Sequence, residues 1–162
     1  QGNQLTALLA GTMDAAVLSV EQRYVGLDKG MREMFFFGNE VKNSWGRLAT
    51  TDKVIKENPK MISSFVRAAL KSLRYMRHDK EGTVAAMMKF AGVSQQQATR
   101  VYEDLIGTFT RNGAVDEEAQ KNDLDIIRQV VNASQPVPGN RAYDFTFALQ
   151  PEQQLNKIGW KP

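Results

Sequence analysis

LTALLAGTMDAAVLS, residues 5–19, predicts a helix, a glycine stop, a short buried strand and a serine that opens a second helix. Residues 14–18 form an apolar run of strand length, and Ser19 with Gln22 three positions later matches a capping box. Backbone N–H groups at a helix N-terminus lack partners and suit an anionic or strongly polar ligand group. The stretch therefore predicts an α/β fold with a candidate ligand-binding turn at Ser19 and Val20.

The rest of the chain has the pattern of a mostly helical protein with about three strands. Residues 13–18, 31–37 and 46–50 are the predicted strands, and everything after Thr51 is predicted as helix or loop. Pro59 is placed to start a long helix, and a last helix is expected from about Pro151 to Ile158. Helix N-caps are predicted at Ser19, Asp79, Ser94 and Asp116.

Three strands are too few to cover the apolar faces of several amphipathic helices. On the long helix that face is predicted to hold Ile62, Phe65, Val66, Ala69, Leu70, Leu73 and Met76. We therefore expect the sheet to be completed by an N-terminal half of the same protein, or the apolar surface to be covered by self-association. The alternative is an all-helical domain with a small α/β appendage.

The composition gives little support to catalysis. The chain has 162 residues, a net charge of +3, no cysteine and one histidine, so we expect no catalytic residues, no metal site and no cofactor. Phosphate-binding glycine motifs are absent, and the mild positive charge lacks the aromatic interleaving of a nucleic-acid surface. We accordingly expect a protein that is not an enzyme and has no nucleic-acid partner.

Two groups of charged residues are expected to be solvated. Asp123 and Asp125 lie in a charged helix and are interpreted as surface charges, as are Glu117 and Glu118. A basic stripe recurs at helical spacing along the long helix and is interpreted in the same way, with partner binding as the alternative. It consists of Arg67, Lys71, Arg74 and His78. Trp45, in a polar loop with no evident core role, is a candidate ligand-facing aromatic.

Three motifs carry a resemblance to a known family. They are residues 7–19, the segment 48–52 leading into Glu57-Asn58-Pro59, and residues 65–70 with Tyr75. In this order the chain resembles the exported solute-binding proteins of ABC importers, in the nitrate, sulfonate, taurine and thiamine-pyrimidine group. The resemblance implies an α/β, two-lobe fold, the type II periplasmic-binding-protein fold, of which this chain would be the C-terminal portion.

The resemblance also implies a domain organisation and a site. Residues 1–37 would end the second lobe, 38–45 would form the crossing segment or hinge, and 46–162 would be the C-terminal helices completing the first lobe. The ligand-binding residues would be Ser19, Val20, Gly38, Asn43, Ser44 and Trp45. The partners would be a sulfonate, nitrate or pyrimidine-like solute and an ABC permease, and the location would be periplasmic or otherwise extracytoplasmic.

The sequence thus leaves two main functions open, beside a periplasmic enzyme built on the same fold, which the lack of usable histidine and cysteine disfavours. The first is the solute-binding component of an ABC importer, which captures a small polar or anionic solute between two lobes. The alternative is a helical protein-interaction module that uses the long basic helix. The two differ in whether the chain requires an N-terminal half to fold and bind.

Overall fold

The computed structural model describes residues 2–40, 44 and 46–162, although not the side chains of residues 2, 3 and 39. The described part of the chain is helical, with the remaining residues in turns and irregular segments. The helices are α1 Gly2–Leu9, α2 Val20–Asp28, α3 Phe37–Glu40, α4 Asp52–Glu57, α5 Pro59–His78, α6 Lys80–Ala91, α7 Gln95–Ile106, α8 Glu117–Val130, α9 Gly139–Ala142 and α10 Thr146–Lys157. None of these helices is long and apolar enough to cross a membrane.

The prediction of an α/β fold is wrong, and with it the type II periplasmic-binding-protein fold with about three strands. No described residue lies in a β-strand. Residues 13–18, 31–36 and 46–50 are irregular, and Phe37 begins α3. A strand is held by hydrogen bonds to a neighbouring strand, and these short apolar runs find no such neighbour. Met34 and Phe35 are consequently exposed rather than buried in a sheet.

The predicted helix boundaries are mostly confirmed. Ser19, Asp79, Ser94 and Asp116 each cap the helix that follows, and each side chain accepts a hydrogen bond from a backbone N–H in the first turn. Pro59 is the first residue of α5. The last helix begins earlier than predicted, at Thr146, where the Asp144 side chain accepts a hydrogen bond from the Thr146 N–H at 2.9 Å.

The chain divides into two compact units. Unit 1 comprises Gln1–Phe36 and Met76–Phe109, and unit 2 comprises Phe37–Tyr75 and Thr110–Pro162. The predicted crossing segment, 38–45, includes residues 41–43 and 45, which lie outside the described residues. The division into two lobes and a crossing segment therefore stays a prediction.

Unit 1 is built around the helical hairpin of α6 and α7. Val84, Ala98 and Tyr102 form a buried cluster between these helices, against which partly buried Met87 and Met88 pack. The Tyr102 hydroxyl donates a hydrogen bond to the Met76 carbonyl at 2.9 Å. This bond fixes the polar end of a buried aromatic ring, as buried tyrosines generally require.

Arg23 of α2 forms an ion pair with Asp104 of α7 within unit 1. The Arg23 guanidinium lies 2.6 Å from the Asp104 carboxylate, is also paired with Glu33, and covers the Phe36 ring at 4.5 Å. The Tyr24 hydroxyl donates to the same Asp104 carboxylate at 2.5 Å. These contacts explain why Phe36 is partly covered although the predicted strand is absent.

In unit 2, α10 packs along α5. Leu70 of α5 and Leu155 of α10 are almost completely buried. Arg74, predicted as solvated, instead pairs with Glu152 at 2.8 Å and donates to the Trp160 carbonyl at 3.1 Å. Lys71 lies over the Trp160 ring at 4.9 Å. Part of the predicted basic stripe therefore fastens the C-terminal segment to the long helix.

A glycine lies against both helices of this packing. Gly113 has a φ of +81°, and a Cβ built on it would lie 2.9 Å from the Cβ of Ala148 and 3.3 Å from Cδ2 of Leu70. We expect Gly113→Ala to lower the free energy of unfolding by about 1–2 kcal/mol more than backbone strain alone would, since it also overpacks the contact with Ala148. Urea denaturation measures this, with Gly92→Ala as the control: Gly92 has a similar φ of +65° and open space around it, so it isolates the backbone strain. Equal losses in the two variants would rule out the steric contribution.

Candidate interaction surface

The predicted ligand residues at the start of the chain lie at one helix end. Ser19 caps α2 and Val20 is its first residue, and both side chains are partly buried. The Ser19 hydroxyl accepts a hydrogen bond from the Gln22 N–H at 3.4 Å, so part of this N-terminus is satisfied by the protein itself. Their role as ligand contacts stays a prediction.

The other predicted ligand residues belong to the segment that follows. Gly38 lies in α3, whereas Asn43 and Trp45 lie outside the described residues. Ser44 is described, and it contacts Asp123 of α8. Ser44 thus forms a hydrogen bond within the chain, to a residue 79 positions away in the sequence.

This contact is part of a carboxylate cluster formed by Asp123, Ser44, Arg47 and Tyr143. Asp123 Oδ1 accepts from the Ser44 N–H at 3.1 Å, and Oδ2 accepts from the Tyr143 hydroxyl at 3.0 Å and from the Ser44 hydroxyl. The Arg47 guanidinium lies 3.2 Å from Oδ2. Asp123 is only 3% exposed, so nearly all of its hydration has been replaced by these donors.

The electrostatics of this cluster indicate a structural role, in which an ionised carboxylate holds segments of unit 2 together. Burial raises the pKa of the Asp123 carboxyl, but the hydrogen bonds from Ser44 and Tyr143 and the charge of Arg47 outweigh it, so the pKa lies below its ordinary value. Burial, and then the hydrogen bond to Asp123, raise the pKa of Tyr143. A carboxylate that stays ionised and has its acceptors filled is a poor proton acceptor, but it connects α8 with two separate segments of unit 2.

The interpretation of Asp123 as a solvated charge is therefore wrong. Asp125, two positions away, does fit that interpretation, since it is partly exposed and pairs with Lys121 at 2.7 Å. A signal that distinguishes the two is present in the sequence: Asp123 lies four positions after Ala119 and three before Ile126, which places it on the apolar side of the helix.

A groove runs along the other side of α8, where the helix faces residues 136–140. Its volume is about 420 Å³, and its walls include Lys121, Asp125, Leu124 and Val137. The lining carries both signs of charge, and Lys121 and Asp125 neutralise each other. Small-molecule sites are enclosed and mostly apolar with a few convergent polar groups. This open, charge-compensated groove is not of that kind.

The apolar side of α8 has a buried half and an exposed half. Ala119 and Asp123 are buried, but the same face continues into Ile126, Ile127 and Val130, which are exposed by 42%, 49% and 72%. We call these three residues the α8 stripe. At roughly 3.6 residues per turn they are neighbours on the helix surface, and they form one patch. The face that packs in the first half of the helix is thus uncovered in the second half.

The comparisons with known proteins give one weak similarity. No family model matches the chain, and no solved structure matches it. Over 110 residues the chain is 28% identical to a protein of Arabidopsis thaliana, the chloroplastic NAD(P)H-quinone oxidoreductase subunit U. The match covers 67% of this chain and 49% of the relative, so the chain spans about half the length of the curated protein it matches.

These findings support the helical interaction module better than the solute-binding function. The chain is a helical protein, as the alternative requires, and its similarity is to a subunit of a complex. This similarity does not test the predicted solute, the ABC permease, the periplasmic location or the resemblance to solute-binding proteins, which stay predictions. Within residues 2–40, 44 and 46–162, no three His, Asp or Glu side chains lie close enough together to hold a metal ion.

Proposed function

We propose that this chain is a helical protein-interaction module that acts as part of a larger assembly. The observation that carries the proposal is the α8 stripe: Ile126, Ile127 and Val130 continue a face that is buried one turn earlier, yet they lie in solvent. Contiguous exposed aliphatic residues of this kind mark protein contact sites. The carboxylate cluster supports the proposal because it holds α8 in place at Asp123, immediately before the stripe.

The similarity to an NAD(P)H-quinone oxidoreductase subunit supports the same class of function. That relative is named as a subunit, so we infer that this chain also contributes a surface to a complex rather than a reaction centre. The proposal names no activity for the assembly. It replaces the solute-binding function as the main hypothesis because the fold on which that function depended is not formed by the described residues.

The test is sedimentation of the full-length protein in extracts of the cells that produce it. We expect the wild-type protein to sediment within a larger assembly and Val130→Asp to shift most of it to the position of a free protein. A carboxylate buried in an apolar contact without a partner costs about 1–3 kcal/mol or more, which weakens association about tenfold or more. Because Val130 is 72% exposed, this substitution leaves the fold intact.

Gln129→Asp is the matched control, since Gln129 is exposed and, as the residue before Val130, projects about 100° away from it around the helix. It introduces the same carboxylate and is expected to sediment like the wild type. The purified chain is measured in parallel, because an assembly that it forms alone would identify the partner as a second copy. Sedimentation of the wild-type protein as a free monomer in the extract would refute the proposed function.

A further inference from the structure

A second face, on the long helix α5, has the spacing of a helix-pairing seam. Met61, Phe65, Ala68, Ser72 and Tyr75 follow one another at intervals of four, three, four and three residues. This spacing keeps side chains in one row along a helix and is the pattern through which two helices interdigitate. We call these five residues the α5 seam.

The α5 seam is exposed along its whole length. Met61 and Phe65 are 57% and 61% exposed, Tyr75 is 43% exposed, and the small residues Ala68 and Ser72 are exposed as well. Leu70, on the opposite side of the helix, is 2% exposed and supplies the contact with the rest of unit 2. The helix therefore has one face in the core and a second face of alternating large and small residues that is exposed to solvent.

Uncompensated positive charge lies along one side of the seam. This basic flank consists of Lys60, Arg67 and Lys71. The described partners of Arg67 and Lys71 are the neutral Gln154 side chain and the Trp160 ring. No described carboxylate forms an ion pair with any of the three cations. Charges beside an apolar seam determine which helix pairs with it, because like charges across the interface repel and opposite charges attract.

A second copy of the chain fits this surface poorly. If two copies of α5 paired in antiparallel orientation, the basic flank of one copy would lie against the basic flank of the other. Arg67 and Lys71 would then face the arginine and lysine of the second copy, and the like charges would repel. The chain as a whole is also positively charged, at +3. An amphipathic helix with carboxylates beside its apolar row has the complementary charge.

We propose that the α5 seam binds an amphipathic helix of a partner protein whose apolar row is flanked by acidic residues. The inference rests on the proposed function and deepens it by stating the chemistry of one partner element. Phe65 is the anchor, since a large aromatic side chain at the centre of a helix interface contributes most of the contact area. Lys71 supplies the charge preference, because it lies within one turn of both Ala68 and Tyr75.

The test uses two designed peptides of about 21 residues, long enough to form a helix on binding. Both have leucine at the seam spacing, but one has glutamate and the other lysine at the flanking positions. Fluorescence anisotropy with the full chain is expected to show binding of the glutamate peptide at least about ten times tighter than that of the lysine peptide. Raising the salt concentration from about 0.05 M to about 0.5 M should reduce this difference, because exposed charges are screened.

Variants of the chain locate the binding site. Phe65→Ala is expected to weaken binding of the glutamate peptide about tenfold or more, and Lys71→Glu to remove most of the preference between the peptides. Phe90→Ala is the matched control, since Phe90 is a 96% exposed phenylalanine on α6, outside the seam, and should leave binding unchanged. Circular dichroism of each variant confirms that the helices are retained.

Three outcomes would overturn the inference: equal affinity for the two peptides, unchanged binding by Phe65→Ala, or dimerisation of the chain that Phe65→Asp abolishes. The last would assign the seam to a second copy. The Val130→Asp variant separates this inference from the proposed function. If this variant binds the glutamate peptide normally but no longer sediments with the cellular assembly, the α8 stripe and the α5 seam act independently. Failure of the peptide experiment would then refute only the role of the α5 seam and not the proposed function.

Discussion

Replacing Leu70 with alanine is expected to lower the free energy of unfolding by about 2–5 kcal/mol, measured by urea denaturation. Leu70 is 2% exposed, and its side chain lies near Gly113, on the face of α5 that is buried in unit 2. The loss combines the transfer free energy of the removed methyl groups with the cavity that they leave. A large effect is expected because close packing around Gly113 and Ala148 limits how far the neighbours can relax.

Phe65→Ala is the matched comparison on the same helix. It removes a larger side chain, but Phe65 is 61% exposed, so we expect a loss of no more than about 1 kcal/mol. If Phe65→Ala destabilises the chain as much as Leu70→Ala, the assignment of the two faces of α5 is wrong. In that case the α5 seam would be part of a core rather than a docking surface.

This pair of residues shows what helical periodicity can and cannot predict. The apolar residues of α5 predict an amphipathic helix that begins at Pro59, and the structure confirms it. The apolar pattern predicts Phe65 and Leu70 on one buried face, but at roughly 3.6 residues per turn they lie more than a third of a turn apart, and Phe65 is exposed. Which side of so broad an apolar surface is covered depends on α10, and sequence spacing within α5 contains no information about α10.

The helix ends were predictable because their causes are local. Ser19, Asp79, Ser94 and Asp116 each satisfy an N–H group within three residues, so the signal and the bond lie in the same short window. Strands differ in this respect, since their hydrogen bonds come from another part of the chain. A run such as residues 14–18 has strand length and apolar character, but it forms a strand only where a second strand is available to pair with it.

The carboxylate cluster was not predictable for the same physical reason. Asp123 binds Ser44 from 79 positions away and Tyr143 from 20 positions away, and no local pattern links these residues. The part of the cluster that could be inferred is the burial of Asp123, since it shares a face with Ala119 and Ile126. A charged residue on an apolar helix face indicates a buried, hydrogen-bonded group rather than a solvated one.

The cluster also carries the second large stability prediction. Asp123→Ala is expected to lower the free energy of unfolding by about 2–4 kcal/mol, because the Ser44 N–H and the Tyr143 hydroxyl lose a buried acceptor. The contribution of Arg47 is smaller, since its side chain is 43% exposed and remains partly hydrated when the carboxylate is removed. Asp125→Ala is the control, because that carboxylate pairs with Lys121 at the surface and its removal should leave the urea midpoint nearly unchanged.

The pH dependence of the same variant distinguishes a lost charge from lost packing. The pKa of Asp123 in the folded chain lies below the ordinary value of 3.8, so the unfolded chain binds the proton more readily. The ionised carboxylate therefore stabilises the fold fully above pH 3.8, and this stabilisation is lost as the pH falls through the lower pKa of the folded state. The difference in unfolding free energy between the wild type and Asp123→Ala should accordingly stay constant from about pH 7 to about pH 5 and shrink as the pH is lowered further, through 3.8 and below. The surface carboxylates contribute equally to both proteins and cancel in this difference. A difference that stays constant over the range would mean that Asp123 acts through its shape alone, and that its charge plays no part in holding α8 to Ser44 and Tyr143.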